Sequence, residues 1–189
     1  MRRHLSIALR GPAAERLERL RRTWDPRMAH VVPAHVTLVY PEETLDETLL
    51  LKRAASQAAE RPPFRLRLGD VFAMDGGVFV RVLDVDGAWA GLRRTLLPPP
   101  MAAMGFPAHA TIAHPRTSTL GARCAAALAG RELAGEFRVT EIQFTEAGAG
   151  SFSVLRRFRL GQARTASGPG FGGRGSGQVA GDLPAVHLA

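Results

Sequence analysis

Apolar positions along the first 160 residues alternate between a period of two and a period of three to four, and the switches mark out elements. Residues 4–9 (HLSIAL) read as a strand. Residues 13–24 place Leu17, Leu20 and Trp24 at helical spacing. "PAHVTLVYP" at 33–41 reads as a strand, and Thr44-x-x-Glu47 has the form of a capping box opening a helix through about Glu60. The stretch from Pro62 to Asp84 alternates on both sides of Asp75-Gly76-Gly77, which predicts a hairpin with its turn there. Asp86 is placed to cap a helix carrying Trp89, Leu92 and Leu96. "PPPMAAMGFP" is a loop leading into a second strand, "PAHATIAHP" at 107–115, followed by an Ala-rich helix over about 118–129. "EFRVTEIQFTEAG" and "FSVLRRFRL" close the body as two strands. Hairpins mixed with helices argue for an α+β body with antiparallel pairing.

The tail, 161–189, is rich in Gly, Ser and Ala without periodicity, and disorder is expected there because it cannot bury enough surface to offset its ordering entropy. His187 lies in it. The domain is therefore residues 1–160. At 189 residues and 46% hydrophobic content the chain can bury a real core. No stretch approaches the ~20 apolar residues of a membrane-spanning helix, so no membrane association is expected. The apolar run Leu5–Leu9 falls short of a secretory signal core, and a cytoplasmic protein is expected. The single cysteine, Cys124, rules out an internal disulfide and reads as a small core residue. The formal charge is +8, carried by arginine with Lys52 the sole lysine. That balance permits an anionic partner without requiring one.

Two nine-residue segments nearly coincide. "PAHVTLVYP" and "PAHATIAHP" share Pro, Ala, His, Thr and the closing Pro. Strand alternation puts His35, Thr37 and Val39 on one face, with Val36, Leu38 and Tyr40 on the other. It likewise groups His109, Thr111 and Ala113 against Ala110, Ile112 and His114. A duplication into two lobes about a pseudo-twofold axis would bring both polar faces to one cleft. Two imidazoles and two hydroxyls suit acid–base chemistry at phosphorus. One neutral His takes a proton from the nucleophile, and the other, as imidazolium, protonates the departing oxygen. Thr hydroxyls can hold the non-bridging oxygens. A metal site built on His35 and His109 lacks a third ligand, and no metal or cofactor is expected. A single His-x-Thr is an ordinary strand feature. His4 and His30 are expected at the surface or core edge, and Arg10, Phe152 and Phe158 are not assigned to the site.

The paired motifs resemble the 2H phosphoesterase superfamily, and within it the bacterial 2′-5′ RNA ligase and RNA 2′,3′-cyclic phosphodiesterase group. The resemblance spans residues 1–160, with "HLSIALR" similar to the opening strand and "FSVLRRFRL" to the closing one. It implies a bilobal fold in which two antiparallel sheets, with helices outside, flank a His-lined cleft. It also implies cleavage of 2′,3′-cyclic phosphates at RNA ends or on small nucleotides, with 2′-5′ ligation as the reverse reaction. His35 would be the proton donor, His109 the proton acceptor, and Thr37 and Thr111 the phosphate-binding hydroxyls. The partners implied are RNA termini or cyclic nucleotide phosphates, and a monomer without an obligate protein partner is expected. Many members carry Arg five residues after the second His, where this chain has His114. The rival reading is a module of the same fold that binds RNA ends or a nucleotide without chemistry.

Overall fold

The computed structural model describes residues 2–148 and 150–161. The expectation for the tail beyond Gly161, His187 included, lies outside the described residues. Eight strands form the body: β1 (Arg2–Ala8), β2 (His35–Val39), β3 (Phe64–Met74), β4 (Gly77–Asp84), β5 (His109–Ala113), β6 (Glu136–Val139), β7 (Glu141–Gly148) and β8 (Ser151–Arg159). Five helices accompany them: α1 (Gly11–Trp24), α2 (Pro26–Val31), α3 (Glu47–Glu60), α4 (Ala88–Leu96) and α5 (Gly121–Leu128). The class is α+β, and every strand pairing is antiparallel.

Where two sheets were expected, hydrogen bonding joins all eight strands in one, in the order β6-β3-β4-β5-β2-β1-β7-β8. The join is narrow, with Val36 opposite Ala110 as the one register pair between β2 and β5. Four strands lie on each side of it. The helices cover one face, where Leu5, Ile7, Val36, Leu38, Val80, Ala110 and Ile112 pack with Leu17, Leu50, Leu92 and Leu96. Full burial of a Leu or Ile is worth ~1.5–3 kcal/mol, so this layer dominates the stability.

Local chemistry explains where boundaries moved. The β3–β4 turn is Asp75-Gly76, both with positive φ (49° and 77°), the conformation a two-residue hairpin needs. The expected Thr44–Glu47 capping box does not form. A 3-10 turn at Pro41–Glu43 intervenes, and Asp46 caps α3 by accepting from Leu49 N–H. Asp84, not Asp86, serves the start of α4, accepting from Trp89 and Ala90 N–H. Asp86 instead receives Arg65. The closing segments form three strands and not two, because "EFRVTEIQFTEAG" divides at Thr140 into β6, an edge strand beside β3, and β7, which pairs with β1 and β8 in the other half of the sheet.

Candidate active site

Register places the four repeated polar residues together. Val36 and Ala110 point to the helix side, so the residues flanking them point the other way. Continuing that antiparallel register by one residue sets His35 against Thr111 and Thr37 against His109. The neighbouring strands extend the same face. Ala8 and Ser6 of β1 pair with His35 and Thr37, and Arg81 and Phe79 of β4 pair with His109 and Thr111. The narrow β2–β5 join thus runs along the floor of a surface with His-x-Thr on both sides.

Both imidazoles are held the same way. His35 Nδ1 lies 2.9 Å from Pro33 O, and His109 Nδ1 lies 2.9 Å from Pro107 O. A carbonyl only accepts, so Nδ1 carries the proton in both rings and Nε2 is the nitrogen available for proton transfer. The repeated Pro-Ala-His therefore has a local purpose: the carbonyl two residues upstream fixes tautomer and ring direction, and proline's fixed φ steadies that carbonyl. Burial lowers the pKa of both rings, opposed by these carbonyl bonds. Arg21 and His109 lower that of His35 further, and Glu18 opposes them.

Each motif is braced by a buried ion pair that the sequence reading missed. Arg21 bonds Glu18 and Val32 O, while Glu18 accepts from Ala34 N–H, fixing the approach to His35. Glu43, with no exposure, binds the Arg93 guanidinium through both oxygens and accepts from Tyr40 and Met104 N–H. Arg93 also donates to Leu38 O and Met104 O, tying the end of β2 to the loop before His109.

The walls differ. On the β4–β3 side Phe79 meets His109 edge-on at 5.0 Å between centroids, Phe72 packs on Phe79, and the Arg81 guanidinium lies 5.0 Å over Phe72, anchored by Asp70. The β1–β7 side is polar. His4 is buried, its ring 5.5 Å from His35 and its Nε2 3.2 Å from Thr145 Oγ1. Burial first, then His35 and Arg2, push the His4 pKa down to about 3. Ser6 Oγ is buried without a partner among the described residues. His4 is thus not the surface or core-edge residue expected. Its alternation with Leu5 and Ile7 signals the face it occupies but not its burial.

One off-face assignment also changes. In both motif strands the register slips at the residue after Thr: Leu5 pairs with Val39 while Ser6 pairs with Thr37, and Val78 pairs with Ala113 while Phe79 pairs with Thr111. An extra residue bulges from each strand and resets the alternation. Tyr40 consequently lies 6.4 Å from the His109 ring and 5.1 Å from Phe106, not on the opposite face. His114 is held at the α1–α2 junction, its N–H on Asp25 and its Nδ1 accepting from Arg116 N–H. Arg10 turns to Glu141, which also receives Gln143 and Arg157. Phe158 is core. Among the described residues no group of three His, Cys, Asp or Glu side chains is placed to hold a metal ion, and no helix is long and apolar enough to cross a membrane.

Residues 9–150 match the model of the 2′-5′ RNA ligase superfamily. Among solved structures, E. coli LigT complexed with 3′-AMP aligns with a TM-score of 0.60 and 19% identity, over 84% of this chain and 97% of that one. E. coli LigT complexed with NADP+ aligns at 0.57 and 20%, over 85% and 98%. The protein TT0787 of Thermus thermophilus aligns at 0.55 and 20%, also over 85% and 98%. At such identity these likenesses show the fold. No curated protein matches the chain.

Proposed function

The chain belongs to the 2′-5′ RNA ligase superfamily, among the 2H phosphoesterases, and on that premise we propose that it opens 2′,3′-cyclic phosphates by metal-independent His/His acid–base catalysis. His109 Nε2 takes the proton from water as it attacks phosphorus. His35 Nε2, as imidazolium, gives its proton to the departing ribose oxygen, leaving a 2′-phosphate and a free 3′-hydroxyl. Thr37 and Thr111 donate to the non-bridging oxygens, where charge grows in the transition state. With a 5′-hydroxyl in place of water, the same attack on the cyclic phosphate joins a 2′-5′ linkage, His109 taking the hydroxyl's proton and His35 protonating the departing 3′ oxygen; the two imidazoles exchange roles when that linkage is cleaved back to the cyclic phosphate. The fold reading extends to a pseudo-twofold duplication, with β2 and β5 as equivalent strands on either side of the join.

The observation that carries this reading is the matched pair of Nδ1–carbonyl bonds, which leaves Nε2 of each ring for proton transfer. Gripping a phosphate would need only cations, so two imidazoles oriented alike by backbone carbonyls favour chemistry over the binding-module reading. Phe72 and Arg81 beside His109 offer stacking surfaces for a base, consistent with nucleotides or RNA ends as substrates. The protein is proposed to act as a cytoplasmic monomer.

The test is a panel of nucleoside 2′,3′-cyclic phosphates and RNA oligomers with cyclic ends, incubated with EDTA present, with product analysis. The proposal expects turnover to 2′-phosphates. Saturable binding without turnover across the panel would favour the binding module, and turnover abolished by EDTA would overturn metal independence.

A further inference from the structure

We propose that the junction of α3, β3 and α4 is a second ligand site, holding the phosphate group of a small phosphomonoester on the helix side of the sheet, away from the histidines. A cavity of about 440 Å³ lies there, lined in part by Arg61, Pro62, Pro63, Phe64, Gly91 and Arg94. Arg61 Nη1 lies 3.1 Å, and Arg94 Nη2 3.7 Å, from the point where a Cβ on Gly91 would sit. Two guanidinium groups therefore converge over one glycine, and any side chain there would crowd them.

Like charges brought together need a reason. Arg61 Nε is buried with no partner among the described residues, and Nη2 reaches only Gln57 Oε1, at 3.4 Å. Among the described residues neither Arg61 nor Arg94 meets a carboxylate. Asp86 also lines the cavity, but its two oxygens are taken by Arg65 N–H and Nη2. Burying the Arg61 Nε–H without an acceptor is costly, and the planar guanidinium fork matches an oxyanion, with the exposed Arg94 beside it. Two such forks match the double charge of a phosphomonoester. The cavity exceeds a bare phosphate, and Pro62, Pro63, Phe64 and Ala88 supply apolar wall for an organic remainder. This site is independent of the histidine chemistry.

The experiment follows backbone amides by nuclear magnetic resonance as inorganic phosphate, or acetate as a control, is titrated into the full chain. Phosphate is expected to shift Gly87, Ala88 and Gly91 saturably, and acetate much less. Arg61→Gln/Arg94→Gln should weaken that response at least tenfold while cyclic-phosphate turnover is unchanged. Arg94→Gln alone, at an exposed position, should weaken it in a protein whose folding is unaffected. Amides of Gly87, Ala88 and Gly91 that stay still under phosphate, or a response equal for acetate or unchanged in both variants, would overturn the proposal.

Discussion

His35 and His109 each spend Nδ1 on a proline carbonyl and leave Nε2 available, and burial holds both below the ordinary imidazole pKa. The proposed catalysis needs one protonated ring and one neutral ring, so kcat/KM against pH is expected to be bell-shaped. Its maximum should lie on the acid side of the ordinary imidazole value; a maximum on the alkaline side would contradict the assignment. His4 yields a separate stability effect. Its ordinary pKa is ~6.5 and its folded value about 3, so between these limits the unfolded chain binds more protons. Stability is unaffected above that ordinary value and falls as pH drops toward the folded one, by roughly 2 kcal/mol at pH 5. Denaturant melts should show this acid loss in the wild type and a smaller one in His4→Gln. The four His and Thr residues were legible because repetition singled them out. His4 was not, since its burial depends on which sheet face the other strands cover. Tyr40 was misplaced because a bulge, invisible in the pattern, resets alternation.

At the scale of elements, two motif strands of five residues each cannot orient their histidines unaided, and ion pairs hold the segments that lead into them. Glu43 ties Arg93 to the end of β2 and to Met104 in the loop before His109. Glu43→Ala leaves a buried guanidinium uncompensated, which costs about 3–5 kcal/mol and should lower the melting midpoint on the order of 10 °C. Calorimetry checks this, and a change under about 2 °C would show that the pair is not structural. The elements themselves were largely legible: hairpin, motif strands and helices follow from periodicity. Caps and the split of β6 from β7 were not, because competing acceptors such as Asp84 and Asp86 are separated by tertiary contacts.

For the whole molecule, the strand order places two four-stranded halves around the β2–β5 join, which is why residues from distant parts of the chain share one face. The doubling of the motif was readable; the continuity of the sheet was not, since it rests on the single pair Val36–Ala110. The net charge of +8 acts at this scale. A longer anionic substrate releases more counterions, so KM for an RNA oligomer ending in a cyclic phosphate should rise more steeply between about 50 and 200 mM salt than KM for a cyclic mononucleotide. Parallel slopes would confine binding to the terminal nucleotide. The most direct test of the central claim is single-site kinetics on a nucleoside 2′,3′-cyclic phosphate with EDTA present, comparing wild type, His35→Ala and His109→Ala. Each variant is expected to lose roughly 10²–10⁴-fold in kcat/KM with its fold intact. Wild-type rates in both variants would contradict the account.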